Sequence, residues 1–197
     1  MELRGKRIAI LVEDNYKALE VWYSMLHFRE AEAAVTVIGP NASNYASTDG
    51  ISIQADASAE QVRAEDFEAF IIPSGSAAEA ISQHPTMLAL IYEAIRQRKL
   101  VATIVQARQI VGSVPGEGGK GAGELSGTQE RLWAGVVPYE LSAVIREGNL
   151  IKAQLPVDLP AFCRLVVAAL SSAIPPDSCA DPTRLAAWLP AGKALET

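Results

Sequence analysis

Cysteine, histidine and long apolar runs are scarce in this chain, and each scarcity removes a class of function. Two cysteines and two histidines occur in 197 residues. Cys163 and Cys179 show no CxxC spacing, so neither a disulfide framework nor a cysteine-rich zinc site is expected. Free thiols in the cytoplasm are the simplest reading. No run of 18 apolar residues exists, so no membrane span is expected. The opening Met1-Glu2-Leu3-Arg4-Gly5-Lys6-Arg7 lacks the apolar stretch of a signal peptide. Basic residues are outnumbered, 17 against 23, giving a net charge of −6. That balance argues against nucleic acid or an anionic membrane as partner.

What is present is an ordinary globular composition, 49% hydrophobic and 20% charged. The length suits one domain over residues 1–174, followed by a tail over 175–197 with one short helix at Pro182–Leu189. Apolar runs predict strands at Arg7–Val12, Ala34–Ile38, Ala69–Pro73, Val101–Ile104 and Leu150–Ala153. Shorter strands are expected near Trp133–Val137 and Ser142–Arg146. The Asp49-Gly50 pair predicts a hairpin over Asn44–Asp56. Helices are expected over Tyr16–Glu30, Pro85–Arg98 and Asp158–Ser171. The first is read with Leu19, Trp22, Tyr23 and Leu26 inward, and the last with a stripe of Leu159, Phe162, Cys163, Val166, Val167 and Leu170. Strands alternating with helices predict an α/β fold: a doubly wound, mostly parallel sheet covered on both faces, a flavodoxin-like three-layer sandwich. In such a sheet the site lies beyond the carboxyl ends of the strands. Those ends are Glu13–Asn15, Ser74–Ser76 and Val105–Arg108.

The stretch Lys99–Val111 has the strand-to-helix layout of a nucleophile elbow. Its turn holds Val105 and Gln106, and neither is a nucleophile. A β-branched residue disfavours the positive φ of a strained elbow, so Val105 is expected at negative φ with its side chain in the core. The glycine-rich segment from Val114 to Gly127 lacks the Gly-Lys-Ser/Thr ending of a phosphate-binding loop and reads as a surface loop.

The run from Arg7 to Tyr23, the run from Asp66 to Ala77, and Lys99–Ile104, taken together, resemble the ThiJ/PfpI family of the class I glutamine amidotransferase-like superfamily. Gly148–Ile151 and Asp158–Arg164 match the family's closing strand and helix, so the resemblance spans about residues 5 to 172. It implies a homodimer or larger assembly. It also implies an elbow cysteine in a pattern Ala-x-x-Cys-His-Gly-Pro, a glutamate from the first helix bonded to it, and backbone N–H donors after the third strand. Glu20 matches the glutamate, and Ser74-Gly75 stands at the place of a Gly-Gly pair. Val105 and Gln106 stand where cysteine and histidine are expected, and Ala107-Arg108 where Gly-Pro is expected.

Glu20, Ser74, Gly75, Val105, Gln106 and Arg108 therefore form the candidate pocket, with a thiol nucleophile and its base both missing. Glu20 reads either as a solvated helix residue or as a carboxylate aimed into that pocket, where Arg108 or Gln106 would pair with it. Cys163, on the apolar stripe, reads as a packing residue. Asp56 and Asp66 read as turn and capping residues. No cofactor is expected, and no metal site from Glu13, Asp14 and Glu20. The leading functional reading is a non-catalytic binding or stress-related scaffold, self-associating and open to a small polar ligand. Its rivals are a cysteine-independent lyase or hydratase with Glu20 as general base, and the peptidase or glyoxalase chemistry of the family, which needs the thiolate.

Overall fold

A computed structural model describes residues 2–104, 144–153 and 156–171 of the chain. Nine strands and four α-helices are used below. β1 (Arg7–Leu11) leads through α1 (Ala18–Glu30) to β2 (Ala34–Gly39). The hairpin β3 (Asn44–Ala46) and β4 (Ser52–Gln54) follows, then the two-residue β5 (Ala57–Ser58) and β6 (Ala69–Ile72). Helices α2 (Ser76–Gln83) and α3 (Pro85–Arg96) precede β7 (Leu100–Ile104). β8 (Val144–Glu147), β9 (Leu150–Ala153) and α4 (Leu159–Leu170) complete the described chain.

The main sheet has the order β5-β2-β1-β6-β7-β9-β8. All its pairs are parallel except β8 with β9, which is antiparallel across the turn at Gly148. This is the doubly wound α/β fold that the alternation of elements predicts. Side-chain alternation along each strand divides the core in two. Ile8, Ile10, Ala69, Ile71, Ala102 and Ile104 face one layer, with Val21, Met25, Phe28, Phe162 and Val166. Ala9, Leu11, Phe70, Ile72 and Val101 face the other, with Ile81, Met87, Leu90 and Ile91. Helices α1 and α4 thus cover one face, and α2 and α3 serve the other.

Three expectations need correction or restriction. First, the inward face of α1 is not the one predicted. Leu19 and Leu26 are exposed, at 62% and 59%, and Trp22 and Tyr23 are half-buried. The buried stripe is Ala18, Val21, Met25 and Phe28, joined by the polar Glu20 and Ser24. Apolar residues occupy both sides of this helix, so periodicity alone cannot choose between them. Secondly, Ser76–Gln83 forms a helix where the sequence reading has only a turn. Alanine favours helix here, and His84-Pro85 ends α2 and begins α3 at once. Thirdly, the expected strand at 133–137, the elbow helix, the glycine-rich loop and the tail lie outside the described residues.

The stripe on α4 is as predicted: Leu159, Phe162, Cys163, Val166, Val167 and Leu170 are all buried. Asp66 accepts from the Arg63 N–H at 2.9 Å, the capping role expected of it, whereas Asp56 accepts from the Val37 N–H of β2 at 2.7 Å, 19 residues away. Among the described residues, no helix is long and apolar enough to cross a membrane.

Candidate functional site

The chain runs from β1 outward to β2 and β5, then returns to the other side of β1 with β6. The carboxyl ends of β1 and β6 therefore flank a point where the topology reverses, the place at which open α/β sheets leave a crevice. Two connections meet there. One runs from Val12 to Lys17 between β1 and α1, and the other from Pro73 to Gly75 between β6 and α2. Asn15 has φ 64° and Gly75 has φ 93°. A Cβ at Gly75 would stand 3.2 Å from the Asn15 carbonyl oxygen, so both backbone twist and the neighbouring connection favour glycine there.

Glu20 lies in the first turn of α1 and is 1% exposed. Its carboxylate meets Ser74, which is 6% exposed, 54 residues further on. The Ser74 N–H donates to Oε2 at 2.7 Å, and its hydroxyl donates to Oε1 at 2.7 Å. Burial raises the Glu20 carboxyl above its ordinary value; the two bonds from Ser74, then the charge of Lys17, pull the other way. The solvated-helix reading of Glu20 is thereby excluded.

β7 ends on Ile104, and the pairing of Ile72 with Thr103 puts that end beside the Ser74 connection. Val105, Gln106 and Arg108 lie outside the described residues, as does Cys179. Of the six predicted pocket residues, the structure therefore brings Glu20, Ser74 and Gly75 together.

Sequence reasoning missed two features. One is the Ser74 hydroxyl as a partner for Glu20. The other is His84, whose Nε2 sits 3.2 Å from Oε2 of Glu13 just after β1. The signal for the first was serine at an expected glycine; for the second, a histidine at a helix start has no sequence mark of its partner. Cys163 is buried, with its Sγ 3.7 Å from Oγ of Ser24, and burial pushes its thiol up to about 12. Such a thiol is protonated at neutral pH and serves packing. Among the described residues, no group of three or more histidine, cysteine or acidic side chains could hold a metal ion. A separate surface groove of about 390 Å³ lies between α3 and the turns before β6, lined by Val62, Ala64, Leu90 and Glu93 among others. It shares no lining residue with the Glu20–Ser74 contact.

A buried carboxylate at the switch point of a doubly wound sheet, held by the turn after the neighbouring strand, defines an α/β protein with a sheet-end site. The DJ-1/PfpI family profile matches residues 6–169, and the chain belongs to that family. A protein from Pyrococcus abyssi named as a deglycase is 24% identical over 158 residues, 80% of this chain and 95% of its own length. General stress protein 18 of Bacillus subtilis is 25% identical over 171 residues, 84% of this chain and 98% of its own. A two-domain protein from Anabaena variabilis, with DJ-1/ThiJ/PfpI-like and ferritin-like domains, superposes with a TM-score of 0.69 at 26% identity. The match covers 84% of this chain and 50% of that one, so the present chain spans half of that protein's length.

Proposed function

We propose that this chain is a DJ-1/PfpI-family protein without thiol chemistry, acting as a self-associating binding scaffold in the cytoplasm. One observation carries the reading: in the sequence Val105 occupies the position at which the family resemblance expects a cysteine, while Glu20 accepts both donors of Ser74. Hydrolase or glyoxalase chemistry of the thiol type needs a thiolate at the strand ends. Cys163 is buried against Ser24 in the layer between α1 and α4 and does not supply one. A role in stress accords with the name of the Bacillus subtilis relative. The deglycase relatives mark the chemistry this chain would have left behind.

Self-association is supported by α1. Between Lys17 and Arg29 its solvent side shows Leu19, Trp22, Tyr23, Leu26 and His27, with no exposed lysine, arginine, aspartate or glutamate. Tyr23 and His27 stack, their ring centroids 5.9 Å apart. Antiparallel packing of two such helices about Trp22 and Tyr23 sets Leu19 of each against Leu26 of the other. It also brings Lys17 of each toward Glu30 of the other, and opposes the helix dipoles favourably.

A second reading is kept because burial raises the Glu20 carboxyl: a lyase or hydratase with Glu20 as general base. The test is turnover. The purified chain is expected to leave methylglyoxal and peptide substrates at their uncatalysed rates. Turnover that disappears in Cys163→Ser or Cys179→Ser overturns the proposal, and turnover that disappears only in Glu20→Gln favours the second reading.

A further inference from the structure

The hairpin β3–β4 rests on the start of α1. The Tyr16 hydroxyl donates to the Ile51 carbonyl at 2.8 Å, and the Thr48 N–H donates to the Tyr16 carbonyl at 3.0 Å. Alternation through β4 puts Ile51, Ile53 and Ala55 on one side of the hairpin. Ile53 and Ala55 are buried in the layer that holds Val21, Met25 and Phe28, whereas Ile51, the first of the row, is 48% exposed. The apolar outer side of α1, which begins with Leu19, is therefore continued by Ile51 past the start of the helix.

Two exposed charges stand at opposite ends of this surface, and neither forms an ion pair among the described residues. Asp49 is at the tip of the hairpin, in the turn closed by the Gly50 N–H to the Ser47 carbonyl at 3.0 Å. Arg29 is in the last turn of α1 and continues the row Leu19, Trp22, Leu26 at helical spacing. The helix between Lys17 and Arg29 is about 18 Å long and holds the two charges apart within one copy. An antiparallel pair of α1 helices centred on Trp22 and Tyr23 brings them together. The register that sets Leu19 against Leu26 also sets Arg29 of one copy against Tyr16 of the other. Tyr16 is the residue bridged to Ser47 and bonded to Thr48 and Ile51, on either side of Asp49.

We propose that the hairpin completes the self-association surface: Ile51 covers the C-terminal end of α1 of a second copy of this chain, and Asp49 pairs there with its Arg29. The two-fold arrangement makes each contact twice. The proposal deepens the self-association reading above and rests on it, adding a second element and a charge pair that selects the register.

The test is complementation between copies, read by sedimentation of the full chain at low salt. Both charged positions are exposed, so the fold tolerates their substitution. Asp49→Lys sets a like charge against Arg29 of the second copy, and Arg29→Glu sets one against its Asp49. Each variant alone is expected to raise the dissociation constant about tenfold or more. Mixing the two in equal amounts is expected to restore assembly, because in a mixed pair the new lysine faces the new glutamate and the natural aspartate faces the natural arginine. Ile51→Ser is expected to weaken assembly as well. Single charge variants that assemble as the natural chain does, or a mixture no tighter than either variant alone, overturn the proposal. If Leu26→Glu disperses the natural assembly while the hairpin substitutions do not, the α1 reading stands and the hairpin is excluded from it. A natural chain that sediments as a monomer defeats both.

Discussion

Helices α1 and α4 lie on the same face of the sheet and pack against each other, yet they differ in how they use their apolar residues. In α4 the apolar stripe of Leu159, Phe162, Cys163, Val166, Val167 and Leu170 is wholly buried, and Leu165 is buried with it. In α1 there are two apolar stripes offset by one residue. Val21, Met25 and Phe28 are buried, while Leu19 and Leu26 face outward. The buried side of α1 also carries Glu20 and Ser24, each with a partner: Ser74 for one, Cys163 for the other. A helix apolar on both sides, with buried polar residues on the inner one, packs into the core and the site and leaves a second apolar face outside them.

The contrast can be broken from either side. The largest effect is expected in the shared core. Phe162→Ala in α4 and Phe28→Ala in α1 each remove a fully buried ring and should cost about 3–5 kcal/mol, read from urea unfolding. If Phe28→Ala cost no more than a surface change, the assignment of the inner face of α1 would be wrong. Leu26→Glu is expected to change the stability of the fold by only about 0.5 kcal/mol. It should nevertheless move sedimentation from an assembly to a monomer. A monomer in the natural chain at micromolar concentration would remove the second surface from the account.

The smallest effect concerns pH. Glu20 has its folded-state carboxyl raised above the unfolded value, so the native chain holds that proton more tightly. Its contribution is then fully present below the unfolded value and is lost as pH rises through the folded one. Glu20→Gln, which cannot ionise, should flatten this part of the pH–stability curve. A curve with the same slope in both proteins would show that Glu20 is not its source.

Much of the fold was legible because the central strands are short apolar runs with turn residues behind them. Arg7–Leu11, Ala69–Ile72 and Leu100–Ile104 appear within a residue or two of expectation. The stripe of α4 was legible for the same reason: one periodic signal, one face. α1 was misread because its outward leucines are as apolar as its inward Val21 and Met25. α2 was missed because Ser74-Gly75-Ser76 looks like a turn and His84-Pro85 follows after one short helix. At the site, Glu20 and Gly75 could be proposed from the sequence. The hydrogen bonds of Glu20 could not, since Ser74 is 54 residues away and is brought beside it only by the return of the chain to β6.

The central claim is that Glu20 anchors this site and does not act in it, and one comparison tests it most directly. Urea unfolding of the natural chain, Glu20→Gln and Glu20→Ala is measured at neutral pH. Gln keeps an acceptor for the Ser74 N–H and can donate to its hydroxyl, so it should stay within about 1 kcal/mol of the natural chain. Ala leaves both Ser74 donors buried without partners and should lose about 2–4 kcal/mol. If Glu20→Ala is as stable as the natural chain or more so, Glu20 is a strained functional carboxylate of the kind that trades stability for activity, and the account fails.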